Sequence, residues 1–139
     1  MMLLTLPKVY YESYAVTIRY DEEQSLGMAV WQGKLRSEEI REAILLCGYV
    51  VERYGLTRWL ADNRKMRAFS PEDQLWILQN AVPQILTGSL RRMATVVSED
   101  VQHTESIAQI VERTGDTANL VLCDFSEQEA AVEWLLQEF

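Results

Sequence analysis

The stretch Leu60-Ala61-Asp62-Asn63-Arg64-Lys65-Met66, followed by Ser70-Pro71-Glu72-Asp73, decides the predicted fold. Its apolar start indicates a short buried strand over residues 59–61, and its polar continuation predicts a loop over residues 62–69. Ser70 and Pro71 are typical of a helix N-cap and first helical position, with an acidic residue three positions after the cap. In open α/β sheets, ligands and partners bind where strands end in such loops. We therefore expect the functional site in this loop.

Upstream of this stretch, two strand patterns precede a helix. Residues 14–20 alternate as a half-buried strand does, and the apolar run 26–31 predicts a strand covered on both faces. The acidic turn 21–25 joins them as a hairpin, so the first strand runs antiparallel to the second. Ser37 predicts the N-cap of the following helix and Gly55 predicts its end. The apolar stripe of that helix consists of Ile40, Ile44, Cys47, Val51 and Tyr54.

Downstream, helices and strands alternate to the end of the chain. The helix that starts at Ser70 should kink or break near Gln79, because Pro83 has no N–H to bond that carbonyl. The remaining patterns predict a strand over 93–97, a helix over 104–114, a buried strand over 120–123 and a last helix with a capping box at Ser126. This order predicts an α/β fold, with a mixed five-stranded sheet whose first strand is antiparallel, and four main helices.

The chain divides into an N-terminal aromatic segment, residues 1–13, and a single domain over residues 14–139. Tyr10 and Tyr11 of this segment, with Tyr14 directly after it, form an aromatic cluster that either covers a sheet edge in its own subunit or contacts a second copy. We expect a homodimer on this ground. The apolar run within residues 1–7 is too short for a signal peptide, and no run approaches the roughly 20 apolar residues of a membrane span.

Composition and charge narrow the class of function. The net charge of −8 argues against general binding to nucleic acid or anionic membranes, which depends on Lys and Arg. Cys47 and Cys123 lie in apolar runs and are predicted to be reduced core thiols, which fits a cytoplasmic location. His103, the only histidine, lies in a polar stretch and is predicted to be exposed, without a nucleophile partner. Carboxylates such as Glu99 and Asp100 leave acid–base chemistry open, but we predict no enzyme, cofactor or metal site.

The sequence resembles the STAS-like (SpoIIAA-like) domain family, and in particular its small bacterial members described as STAS/SEC14-like. The resemblance runs from about residue 14 to the end, and rests on Trp31, Gly33, Ser37-Glu38-Glu39, Trp59 to Met66, Ser70 to Asp73, Trp76, Pro83, Arg92-Met93-Ala94 and Trp134-Leu135. It implies a non-enzymatic regulatory or protein-interaction module. The family's phosphoacceptor serine follows an Asp, whereas Asn63 follows Asp62 here, so its phosphorylation switch is not expected. The SEC14 relation implies an alternative, a carrier of a small apolar or lipid-like ligand, and a self-associating structural protein is a third reading.

The predicted partner-binding residues all follow the strand at 59–61. They are Asp62, Asn63, Arg64, Lys65, Met66, Arg67 and Phe69. The basic members lie at the carboxyl edge of the sheet, whereas Arg58, Arg91 and Arg92 precede strands. A positive patch in an acidic protein favours an acidic partner segment or a small anion. In the alternative reading, Arg64 and Lys65 pair with neighbouring Asp or Glu side chains, and Met66 and Phe69 either tuck under the loop or await a partner.

Overall fold

The computed structural model describes residues 7–139, which build one six-stranded sheet with its strands in chain order. The strands are β1 (Lys8–Glu12), β2 (Val16–Asp21), β3 (Leu26–Gly33), β4 (Arg58–Met66), β5 (Arg92–Val96) and β6 (Val121–Phe125). β2 is antiparallel to both β1 and β3, and β3 to β6 are parallel. The predicted α/β fold with a mixed sheet is confirmed. The sixth strand is β1, formed by part of the aromatic segment, while most of the stretch assessed as a signal peptide lies outside the described residues.

Five helices follow the predicted order. They are α1 (Ser37–Tyr54), α2 (Pro71–Asn80), α3 (Val82–Thr87), α4 (Val101–Thr114) and α5 (Gln128–Leu135). Gly55 ends α1 with a φ of 57°, as predicted. The expected interruption before Pro83 is present, because α2 and α3 are separate helices that meet at Ala81.

Two predicted helix caps differ from the observed ones, and α4 begins at Val101, three residues before its predicted start. The N-cap of α1 is Arg36 rather than Ser37, and the Arg36 N–H donates to Glu39 Oε1 at 2.8 Å. The N-cap of α5 is Glu127, which makes no side-chain cap, so the capping box predicted at Ser126 is wrong. In both cases several polar residues precede the apolar pattern, so the pattern leaves the cap undetermined by one residue.

The larger hydrophobic core lies between one face of the sheet and helices α1 to α4. In α1 the buried residues are Ile40, Ala43 and Val50, whereas the predicted Ile44 and Cys47 are only partly buried. At positions 43–44 and 50–51 two adjacent apolar residues could each belong to the buried stripe of the helix. The sheet packs against the first residue of each pair. Burial raises the pKa of the Cys47 thiol to about 12, which keeps it protonated and unreactive.

The smaller core lies on the opposite face, where α5 covers the middle of the sheet. Ala131 and Leu135 pack there with residues of β3, β4 and β5. β6 was predicted to be buried, but Val121 is 55% exposed and Cys123 is half-buried. The prediction is wrong because β6 is an edge strand with one neighbour in the sheet. Among the described residues, no helix is long and apolar enough to cross a membrane.

Candidate functional site

The predicted loop over residues 62–69 is shorter than expected, because β4 continues to Met66. Past a register irregularity after Val30, Gln32 of β3 pairs with Lys65 and Gly33 pairs with Met66. The parallel neighbour satisfies the backbone groups of this polar segment, so its side chains do not prevent it from being a strand. Only residues 67–69 remain as a connection to α2. The site must therefore be read as the end of a strand pair rather than as a free loop.

Asp62 and Arg64 form an ion pair on the α5 side of β4. The Arg64 guanidinium donates from Nε to Asp62 Oδ1 at 3.0 Å and from Nη2 to Oδ2 at 2.7 Å. Gln128 Nε2, at the start of α5, lies 3.4 Å from Oδ2. Asp62 is only 3% exposed, and the hydrogen bond to it raises the pKa of Arg64. The pair leaves neither group free for a partner, so the reading in which Arg64 pairs with a neighbouring carboxylate describes it correctly.

Three more of the predicted site residues are buried. Asn63, Met66 and Phe69 each lose nearly all their exposed surface, and the last two belong to the larger core. Ser98 holds the strand end in place, since its hydroxyl donates to the Met66 carbonyl at 2.7 Å. Met66 and Phe69 therefore tuck under the connection, the first of the two alternatives left open by the sequence.

The exposed members are basic, and the fold adds one that the sequence reading missed. Lys65 and Arg67 lie at the end of β4, and Lys34 follows Gly33 at the end of the paired β3. The Arg67 N–H donates to the Gly33 carbonyl at 3.0 Å, which holds the two strand ends together. We call Lys34, Lys65 and Arg67 the basic cluster. The sequence could have indicated Lys34, because it follows a predicted strand and the carboxyl ends of neighbouring parallel strands meet at one sheet edge.

None of the three side chains in the basic cluster forms an ion pair within residues 7–139. The nearby Arg36 does, because its Nε lies 3.4 Å from Glu39 Oε1. Of the cluster, Arg67 interacts with Asp100, whose pKa is lowered first by the hydrogen bond that it accepts from the Ala68 N–H and more weakly by the charge of Arg67. The cluster is therefore a local positive surface whose charges are not neutralised by ion pairs within residues 7–139.

A cleft of about 610 Å³ adjoins the cluster, between the ends of β3 and β4 and the starts of α1 and α2. It is lined by Lys34, Leu35, Arg36, Ser37, Ala68, Phe69, Ser70 and Asp73. Asp73 is buried at its floor and accepts from Ser37 Oγ at 2.9 Å, Ser70 Oγ at 3.1 Å and Arg41 Nε at 3.3 Å. These contacts join α1 to α2 and occupy the carboxylate, so Asp73 shapes the cleft rather than offering a free acid or base.

The strand order itself determines what kind of site this edge forms. The strands lie in the sheet in the same order as in the chain, and α1 to α4 lie on a single face of the sheet. The crevice that binds ligands in doubly wound folds forms where the strand order reverses, and this sheet has no such point. The carboxyl edge is therefore an open surface with a shallow cleft, a shape better suited to a chain segment than to an enclosed small molecule.

The remaining candidates for chemistry have structural roles. Asp100 caps α4, accepting from the N–H of Gln102 at 3.0 Å and of Ala68 at 3.1 Å. His103 was predicted to be exposed, and this is wrong, since it is 1% exposed. It lies on the inner face of α4 with Ser106 and Ile110, at helical spacing, while its polar sequence neighbours point outward. Among the described residues, no group of three His, Cys, Asp or Glu is placed to hold a metal ion.

Comparison of this chain with protein-family models, with curated proteins and with solved structures found no match.

Proposed function

We propose that this protein is a non-enzymatic interaction module of the STAS type, which binds an acidic segment of a partner protein through the basic cluster. The observation that carries the proposal is a set of three exposed cations at one sheet edge, with no ion pair among the described residues, in a chain with a net charge of −8. Positive charge concentrated in an otherwise acidic molecule selects a negatively charged partner and orients it.

The surroundings of the cluster favour a chain segment over a single small anion. The cations lie at the ends of two paired strands, because Lys34 follows β3 while Lys65 and Arg67 lie at and just past the end of β4. A partner segment can place several carboxylates along this line. The start of α2 is unsuited to a lone phosphate, because Pro71 has no N–H to donate and Asp73 adds negative charge.

The proposal is tested by the binding of a fluorescent 12-residue peptide of alternating Glu and Ser, measured by anisotropy. The acidic peptide should bind, and raising the salt concentration from 50 to 300 mM should weaken its binding, because exposed charges are screened. A Gln/Ser peptide of equal length should not bind. Inorganic phosphate should compete only weakly. Equal binding of the two peptides would contradict the proposal, and strong competition by phosphate would assign the cluster to a small anion instead.

Regulation by phosphorylation at Ser70 is not part of the proposal. The Ser70 hydroxyl accepts from the Asp73 N–H at 3.1 Å as the N-cap of α2 and lies 3.1 Å from the Asp73 carboxylate. A phosphate there would lose the cap and face a buried negative charge. The serine is fully explained by its structural role, in agreement with the absence of the family's phosphoacceptor after Asp62.

A second candidate function, a carrier of a small apolar or lipid-like ligand, is favoured by one groove. This groove, of about 540 Å³, is lined mainly by Leu75, Leu78, Val82, Pro83 and Leu86, with Arg113 and Thr114 at one side. It lies among α2, α3 and α4 and not between the sheet and the helices. Native mass spectrometry of the purified protein tests it: added mass that Leu78→Arg removes supports the carrier, and a bare 16.1 kDa chain opposes it.

We further propose a cytoplasmic homodimer, since both cysteines are free and both sheet edges are open within the described chain. At the β1 edge, Tyr10 packs inward on Tyr20 and Tyr54, but Tyr11 is exposed. At the β6 edge, Leu122 is exposed. Light scattering of Tyr11→Lys and Leu122→Lys distinguishes the edges, because only the variant at the pairing edge should become monomeric. A monomeric wild type at micromolar concentration would refute the dimer.

A further inference from the structure

His103 is a buried imidazole with no hydrogen-bond partner. Its side chain is 1% exposed, and neither Nδ1 nor Nε2 has a partner within residues 7–139. The ring packs edge-on against Phe69, with ring centroids 5.4 Å apart and an interplanar angle of 87°. It thus joins α4 to the connection 67–70, which leads from the basic cluster into α2. A buried polar ring that gains no hydrogen bond reduces stability, so its position calls for an explanation.

Two carboxylates on the elements packed around this ring, those of Asp100 and Asp73, already accept hydrogen bonds. On its own helix, Asp100 accepts from the N–H groups of Ala68 and Gln102. On the connection, Arg67 is exposed and positively charged. On α2, which packs against α4 through Gln74 Nε2 and Ser106 Oγ at 3.1 Å, Asp73 is held by two serines and Arg41. Neither Asp73 nor Asp100 is therefore free to pair with a protonated imidazole in the closed arrangement.

We propose that His103 is a proton-sensitive latch. The neutral ring holds the connection 67–70 against α4, and the protonated ring leaves its site, so that the connection and α4 separate. The contacts that would open are few. They comprise the His103–Phe69 ring contact, the Ala68–Asp100 hydrogen bond, the Ser98–Met66 hydrogen bond and the Gln74–Ser106 pair. Apart from the Ser98–Met66 hydrogen bond at the end of β4, none of these contacts involves a strand or α1. The latch does not rest on the proposed binding function.

The direction of the pH dependence follows from the burial of the ring. Burial lowers the pKa of His103 to about 4, an effect that attraction to Asp100 only partly offsets. An exposed histidine has a pKa of about 6.5, so between these values the open form binds the proton more tightly. Stability of the closed form is complete above about pH 6.5 and falls as the pH drops towards 4. Between pH 7.5 and 5.5 the opening equilibrium constant should rise about tenfold.

The latch is tested by amide hydrogen exchange at pH 7.5 and 5.5, corrected for the intrinsic pH dependence of exchange. In the wild type, opening of residues 68–70 and of α4 should increase about tenfold at pH 5.5. Amides of β3 and β4 should change much less. In His103→Met, which keeps the volume without a titratable group, that increase should be absent. His103→Gln provides a second non-titrating variant in case the Met packs differently.

A direct readout comes from the imidazole itself, because the chain contains one histidine and its NMR resonances are unambiguous. The folded protein should show no titration near pH 6.5 in the closed state. A titration with a normal midpoint would place the ring in solvent and overturn the latch. The same conclusion would follow if the wild type and both variants showed equal increases in exchange, or if β3 and β4 opened together with α4.

Discussion

The parallel strands carry basic residues at both ends, and the two groups differ in what holds them. At the amino ends, Arg58 of β4 and Arg92 of β5 are bound by carbonyls of the chain's last residues. At the carboxyl ends, the basic cluster has no ion pair within the described chain. Both groups were visible in the sequence as Lys and Arg near strand limits. The groups around these basic residues, rather than their residue types, determine whether they stabilise the fold or remain available for binding.

The amino-end arginines clamp the C-terminus of α5. Arg58 donates from Nε to the Leu135 carbonyl at 2.5 Å and from Nη1 to the Gln24 carbonyl at 2.7 Å. Arg92 donates from Nη1 to the Gln137 carbonyl at 2.5 Å, and both guanidinium groups lie within 4.5 Å of the centre of the Phe139 ring. Desolvation, and then the charge of Arg92, lowers the pKa of Arg58. Cations at a helix C-terminus donate to its free carbonyls and interact favourably with the negative end of its dipole, so these arginines hold α5 on the sheet.

The largest effect on stability should come from removing the amino-end brace. We expect the double variant Arg58→Met, Arg92→Met to lose about 2 to 4 kcal/mol of unfolding free energy, because it removes several charge-assisted hydrogen bonds to carbonyls. Urea denaturation measures the loss. Arg91→Met is the matched control, since Arg91 is exposed. It should change stability by less than about 0.5 kcal/mol. If the two variants were equally stable, α5 would not depend on the arginines and the comparison would fail.

A smaller effect should follow at Arg64, which lies close to the basic cluster but behaves like the amino-end arginines. Arg64→Met leaves the buried Asp62 carboxylate with Gln128 at 3.4 Å and should cost about 1 to 3 kcal/mol. Asp62→Asn removes the buried charge that Arg64 pairs with. The double variant Asp62→Asn, Arg64→Met should therefore be more stable than Arg64→Met alone. Additive losses in this double-mutant cycle would show that the two side chains do not interact.

A smaller effect again should come from Ser70, which lies in the cleft but belongs to the fold. Ser70→Ala removes the N-cap of α2 and one contact to Asp73, and should cost about 1 kcal/mol. Ser70→Thr keeps a hydroxyl acceptor at the N-cap without adding charge and serves as the comparison. Neither change touches the basic cluster, so the affinity for the acidic peptide should remain within about twofold of the wild type. A large loss of affinity in Ser70→Ala would extend the binding surface into the cleft.

Local sequence signals predicted much of the fold because they involve only neighbouring residues. Gly55, the Ser70 cap and the break before Pro83 lie close to their predicted positions. The length of β4 could not be predicted in this way, since a polar strand end has the composition of a loop. Whether it pairs depends on how far β3 extends beside it.

The site was predicted in part for the same reason. Lys65 and Arg67 are exposed as expected, whereas Lys34 joins them only through the pairing of β3 with β4. His103 was misassigned because its sequence neighbours are polar, although its spacing from Ile110 fits the inner face of α4. The identities of the residues thus indicated the charge of the surface, while tertiary pairing determined which charges remain free.

Two triple charge reversals with the same change in net charge test whether the basic cluster is a binding surface. One variant is Lys34→Glu, Lys65→Glu, Arg67→Glu, and its control reverses the exposed cations Lys8, Arg91 and Arg113 to Glu. Affinity for the acidic peptide and the melting temperature are measured for both. We predict that the cluster variant loses at least about tenfold in affinity with nearly unchanged melting temperature, because exposed charges contribute little to folding. The control should keep the larger part of its affinity. Equal losses of affinity in both variants, or unfolding of the cluster variant alone, would contradict the claim that the carboxyl-end charges are a binding surface.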